Sequence, residues 1–212
     1  MKRLDAILRD IRIRQALPFI RPGDRLLDIG CFDQTLLNLV SGRVRSAMGV
    51  DPLAQDEARG NISIRRGTVP GELDLAAESF DCITMLAVLE HVPDAGAVAR
   101  ECARLLTPGG RVVITVPKPQ VDHILALLTR LRLIDGMSLE EHHGYDIEQT
   151  TPVFEQAGFR LAKRRSFELG LNCLFVFERV ALASAAPVRD DPRADGKSTS
   201  ASAEKITQHS GA

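Results

Sequence analysis

The sequence predicts an α/β fold: a mostly parallel sheet with helices on both faces, ending in an antiparallel hairpin. Two observations carry this. Between residues 25 and 117, short apolar runs alternate with segments of helical periodicity, the pattern of successive βα units. Near Gly170, two strand-like runs then follow each other with no room for a helical crossover, so they must pair antiparallel. A chain of 212 residues suits one such domain with extra segments.

Residues 3 to 17 come first. Leu4, Ile7, Leu8, Ile11 and Leu17 recur at helical spacing, and Pro18 with Pro22-Gly23 ends that helix. "RLLDIG" reads as a strand and "QTLLNLV" as a helix. "SAMGVD" is a second strand, "PLAQDEARG" a short helix, and "NISIRRG" a third strand. "FDCITMLAV" follows as a strand, then a helix through "DAGAVARECARLLT" and the strand "GGRVVITVP". Beyond it lie an unusually apolar helix at 121–134, a helix in "IEQTTPVFEQAG", and the hairpin "FRLAKRRSFELGLNCLFVFERV". From residue 184 onward, Ala, Ser, Pro and balanced charges replace the large apolar residues. Such a tail cannot bury enough surface to offset its ordering entropy, so disorder is expected over 184–212 and a folded domain over 1–183.

Composition narrows the function. The hydrophobic fraction of 44%, the charged fraction of 26% and a net charge of -1 are those of an ordinary soluble domain with no field favouring nucleic acid. One Tyr and no Trp argue against a base-stacking surface. No apolar run approaches the roughly 20 residues that span a bilayer, and the charged N-terminus does not read as a signal peptide. Cys31, Cys82, Cys102 and Cys173 stand far apart in apolar segments, as buried thiols of a reducing compartment do; a cytoplasmic location is expected, with no metal site. The apolar helix at 121–134 could form a lid over an apolar acceptor, touch a membrane surface or make a dimer interface, and the basic helix at 3–17 could touch a membrane, but packing on the sheet is the favoured reading for both; the oligomeric state is open.

Open parallel sheets bind ligands at the carboxyl ends of their strands. The first strand ends in Asp28, Ile29, Gly30 and Cys31, ahead of a helix N-terminus that attracts anions. The second ends in Asp51, 23 residues beyond Asp28, roughly the spacing at which an acid reaches ribose hydroxyls. Asp51 could equally do no more than cap the next helix, beside Pro52.

"LLDIGC", "GVDP", "FDCITMLAVLEHVPD", "LLTPGGRVVITVP" and "FEQAGF" fall in one order over about residues 22–180. The ordered set resembles a class I S-adenosylmethionine-dependent methyltransferase of the small bacterial type. The resemblance implies a Rossmann-like, seven-stranded sheet whose last strand is antiparallel, and S-adenosylmethionine as cofactor. It implies that Asp28 and the Gly30–Gln34 loop, with Cys31 and Phe32, hold the methionine end. Asp51 and Pro52 would meet the ribose, Thr68 the adenine, and Leu86 and Ala87 the cofactor and acceptor. It places the acceptor-side insertion at 120–147.

Two departures stand out. The family's loop has glycines at alternate positions, here Gly30, Phe32 and Gln34, and no acid stands near Gly67-Thr68 for the adenine amine. Left-handed backbone at Phe32 and Gln34 would be costly, so ordinary negative φ is expected at both, with Phe32 walling the cofactor and the Gln34 amide donating to its carboxylate. A dinucleotide loop fits worse, since G-x-G-x-x-G from Gly30 would need glycine at Phe32 and Thr35.

The densest polar cluster is "SLEEHHGYD" at 138–146. A hydroxyl acceptor needs a base, and histidine suits that task, so His142 or His143 is the candidate base and Tyr145 the orienting group. A metal held by Glu140 and His143 is disfavoured. Glu90 and His91, neighbours on a helix, would point about 100° apart, with His91 a further candidate to face the acceptor. The expected activity is methylation, on oxygen, of a small-molecule or lipid- or sugar-linked acceptor. A non-catalytic relative and a dinucleotide oxidoreductase are the alternatives.

Overall fold

The computed structural model describes residues 3–71, 73–118 and 145–180, with side chains from residue 6 onward. The chain opens with α1 (Arg3–Ala16), which a 3-10 turn at Leu17–Phe19 ends. There follow β1 (Arg25–Ile29), α2 (Thr35–Val40), β2 (Ser46–Asp51), β3 (Glu57–Arg59), β4 (Ile62–Arg66) and β5 (Phe80–Leu86). Then come α3 (Ala95–Leu105), β6 (Leu106–Pro117), α4 (Thr150–Gln156), β7 (Phe159–Phe167) and β8 (Asn172–Arg179). The strands form one sheet in the order β3-β4-β2-β1-β5-β6-β8-β7.

Strands β4, β2, β1, β5 and β6 run parallel, while β8 joins β6 antiparallel and β7 joins β8 antiparallel, as the hairpin reading expects. Both faces are covered, so neighbouring residues of one strand enter opposite cores. Leu27 and Ile29 of β1 pack with Val98, Phe154 and Phe175, whereas Leu26 packs with Ile13, Leu37 and Val176. The Phe154 and Phe177 rings stack at 4.8 Å, anchoring α4 on the hairpin. All four cysteines are buried and unbridged.

The sheet has eight strands where seven were expected. The extra one is β3, which pairs antiparallel with β4 through Glu57–Ile64 and Arg59–Ile62. It occupies the segment read as a short helix. All three of its residues are exposed and Leu53 is 79% exposed, so the segment had no apolar stripe to hold a helix on the sheet. Asp51 Oδ1 instead accepts from Leu53 N at 2.8 Å, Asp56 Oδ1 accepts from Arg66 N at 2.7 Å, and the intervening chain turns back onto β4.

The "LEH" segment also differs from expectation. It forms a 3-10 turn at Leu89–His91, and the helix starts only at Ala95, after Pro93. Asp94 caps it by accepting from Ala97 N at 2.9 Å. The helix expected at 121–134, His142, His143 and the tail at 184–212 lie outside the described residues. Among the described residues no helix is long and apolar enough to cross a membrane.

Candidate active site

The order of the sheet reverses at β1, whose neighbours β2 and β5 lead to opposite edges. The carboxyl ends of these three strands therefore frame the crevice where such sheets take ligands.

The loop leaving β1 keeps the backbone of a glycine loop without its glycines. Gly30, Phe32 and Gln34 have φ of 77°, 30° and 62°. The expectation of negative φ at Phe32 and Gln34 is thus wrong, and the reason is visible in their partners. Phe32 N donates to Asp51 Oδ2 at 3.1 Å. Gln34 N donates to Cys31 O at 2.7 Å, and its side-chain Oε1 accepts from Arg59 Nη2 at 2.6 Å. These bonds offset a left-handed cost of about 1–2 kcal/mol per residue. They also direct the Gln34 amide oxygen to Arg59, in place of the amide donation expected from sequence. Cys31 turns inward beneath β2, its Sγ standing 2.7 Å from where a Cβ on Gly49 would lie, so Gly49 is there to admit it. Burial pushes the Cys31 thiol up to about 12, so it stays protonated and unreactive.

Two carboxylates stand at adjacent strand ends, and both are buried. Asp28 accepts from the Thr84 hydroxyl at 2.6 Å. Burial drives its carboxyl up to about 7; the Thr84 bond opposes the rise, while the charges of Asp51 and Asp33 add to it. Asp51 instead divides its oxygens between Phe32 N and Leu53 N, bracing the two loops that follow β1 and β2. The helix that one reading of the sequence had Asp51 cap does not form; its Oδ1 holds the turn at Leu53 instead.

Two compartments meet at Gly30 and His91. One, of about 310 Å³, is walled by Pro52, Thr68, Val69, Pro70, Val92 and Pro93 and is nearly all apolar. The other, of about 510 Å³, presents Arg9, Arg12, Asp28, Asp33 and His91. Cys31, Phe32, Leu86 and Ala87 complete it. Val88 stands at the junction, where a Cβ built on Gly30 would lie 2.4 Å from its Cγ2. Ala87 beside it has φ of 59°, so both sides of the junction are built on left-handed residues.

The structure thus gathers Asp28, Gly30, Cys31, Phe32, Leu86 and Ala87 around one compartment, and Gly30, Pro52 and Thr68 around the other. Gln34 and Asp51 line neither and shape the loop between them. Tyr145 is half-buried, packs against the core and donates its hydroxyl to Thr150 Oγ1 at 3.0 Å, and burial raises its pKa. His91 Nε2 lies 4.0 Å from Glu90 Oε1, in the 3-10 turn that replaces the expected helix. Sequence reading missed Arg9 and Arg12. They belong to α1, whose approach to the loop, with Arg9 pairing Asp33, is a tertiary event that no local motif announces.

The residues present suit a ligand with an apolar flat end and a zwitterionic end. Carboxyl and guanidinium groups face one compartment together, while Gly30 leaves bare backbone at the join. Among the described residues no cluster of metal-binding side chains occurs.

The family described as "Methyltransferase domain" matches residues 2–163, most of the chain. The "Ubiquinone biosynthesis O-methyltransferase" of Pseudomonas fluorescens is 36% identical over 116 residues, 50% of this chain and 50% of that one. The protein so named from Hahella chejuensis is 36% identical over 97 residues, 42% of this chain and 41% of that one. The chain spans about half the length of the curated relatives it matches. Among solved structures, an S-adenosylmethionine dependent methyltransferase from Mesorhizobium loti is similar with a TM-score of 0.63 at 17% identity, covering 83% of this chain and 100% of that one. A cyclase is similar at 0.60 and 12% identity, covering 83% and 80%. Likeness at that identity concerns the fold alone, and one fold can host several chemistries.

Proposed function

This chain belongs to the methyltransferase-domain family, and from that premise we propose that it uses S-adenosylmethionine to methylate a hydroxyl oxygen of a small-molecule acceptor. The observation that carries the proposal is the pairing of an apolar compartment with a mixed-charge one across bare backbone at Gly30. The apolar walls at Pro52, Val69 and Val92 suit the adenine. Asp28 suits an ammonium group and the α1 guanidiniums a carboxylate, with Arg9 also held by Asp33 and Asp10. Asp51, which lines neither compartment, braces the loops on either side of the join and so sets the walls that a ribose would meet. When bound, the cofactor supplies an electrophilic methyl group.

The chain's own task is then positioning and proton removal. His91 opens on both compartments, beside the buried Glu90 carboxylate, and is placed to accept the hydroxyl proton through its imidazole. His142 and His143 remain further candidates for that base, and Tyr145 for orienting the acceptor. The relatives' printed name, an O-methyltransferase of ubiquinone biosynthesis, supports oxygen as the accepting atom and an acceptor from quinone synthesis.

Calorimetric titration with S-adenosylmethionine and S-adenosylhomocysteine tests the reading. Micromolar binding that weakens at least tenfold in a folded Asp51→Ala protein is the expected result. A well-folded wild-type chain that takes up neither ligand overturns it.

A further inference from the structure

We propose that Phe32 is a specificity-determining residue: its ring is the platform on which a planar acceptor stacks. The inference rests on the functional reading above and adds the residue that selects the acceptor's shape.

The loop is held in its left-handed course by backbone groups. Phe32 contributes through its N–H, which bonds Asp51 Oδ2 at 3.1 Å, and any residue would supply that donor. The ring is therefore not what secures the loop. Gln34 is the contrast: its side chain makes the bond to Arg59 that holds its own strained position. Nor does the ring fill the core, being 62% exposed. An aromatic side chain on left-handed backbone, left in water, is a poor choice unless something covers it.

Exposure alone does not single it out. Leu169 is also left-handed and more exposed, but it sits in the β7–β8 turn and lines neither compartment. Phe32 lines the larger one. That compartment, about 510 Å³, holds more space than the amino-acid arm of a cofactor fills, and the remainder is open to an acceptor. The backbone at 32 keeps a glycine-like φ, and its side chain adds a wall to the compartment that Gly30 also lines. A planar ring laid against Phe32 would bury apolar surface on both partners in an offset or edge-on stack. His91 on the same compartment supplies the polar partner for a ring hydroxyl.

Catechol and trans-1,2-cyclohexanediol serve as planar and non-planar probes, titrated into protein saturated with S-adenosylhomocysteine and followed by saturation-transfer NMR. Wild type should prefer catechol at least fivefold. In protein saturated with S-adenosylhomocysteine, Phe32→Leu should erase that preference and Phe32→Tyr should keep it. Equal binding of the two probes by wild type overturns the inference even if Phe32→Leu fails to fold. So does a preference that survives Phe32→Leu, or a tenfold loss of S-adenosylhomocysteine affinity there, which would make the ring a cofactor wall. Failure of wild type to bind S-adenosylhomocysteine appears before any probe is added and brings down the functional reading itself.

Discussion

The two compartments that meet at Gly30 share His91 but differ in the charge set among their apolar walls. One is chiefly proline and valine around a narrow space, with Asp94 its one acid. The other gathers two arginines, two aspartates and a histidine around a wider one. The apolar side selects by shape and by displacement of water. The charged side holds groups whose state depends on pH and on what else is bound. A single ligand that satisfies both must carry its polar and apolar parts at a fixed separation, so much of the selectivity lies in the join.

Breaking the join should have the largest effect. Gly30→Ala places a Cβ 2.4 Å from Val88 Cγ2 on backbone of φ 77°. Strain and overpacking together should cost about 2–4 kcal/mol of stability and at least a tenfold loss of S-adenosylhomocysteine affinity. Adding Val88→Ala should return part of the stability, and a double-mutant cycle by denaturant unfolding measures how much.

Next comes the charged side. The Asp28 carboxyl lies near 7 when folded, against 3.8 for the ordinary group, chiefly because it is buried. A raised acid favours the folded state when protonated, so its contribution is present below about pH 4 and is lost as pH climbs towards 7. An ammonium-bearing ligand prefers the carboxylate. Affinity for S-adenosylhomocysteine should therefore rise about tenfold between pH 6 and pH 8, and the slope should flatten in Asp28→Asn. A flat wild-type profile would show that the ammonium does not sit at Asp28.

The smallest effect sharpens the contrast between Phe32 and Gln34. Arg59→Ala removes the side-chain bonds to Gln34 and Asn38 at 2.6 and 2.7 Å. Because Arg59 is exposed, the loss should be about 0.5–1 kcal/mol, a fall of roughly 1–4 °C in Tm. With glycine at position 34 the same change should cost less, since the strain that Arg59 restrains is gone.

Most of the fold was legible because short apolar runs mark the central strands β1, β2, β5 and β6, and α3 buries one face through Val98, Ala99, Cys102 and Leu105. β3 was not, because a three-residue exposed strand has no pattern of its own; it exists through hydrogen bonds offered by β4. The site was half legible. Asp28, Gly30 and Asp51 could be found from strand ends, but the φ values of Phe32 and Gln34 could not be judged from intrinsic cost alone. The deciding terms were Asp51 from β2 and Arg59 from β3, both distant in sequence. Arg9 and Arg12 looked like surface charges of a helix, and only the packing of α1 turns them towards the crevice.

The sheet's outer strand has a consequence for how many molecules share a solution. β7 is nine residues long and ends the strand order, so its open side could template pairing with another chain. Its register breaks between Leu161 and Lys163, and Lys163 and Arg165 stand exposed along it, while Arg160 and Arg164 pair with Glu178 and Glu148. The break spoils a flat template, and the cations repel a second copy presenting the same edge. Salt weakens only the repulsion, so concentrated protein should stay dispersed at low ionic strength and begin to associate as salt is raised, with light scattering as the readout.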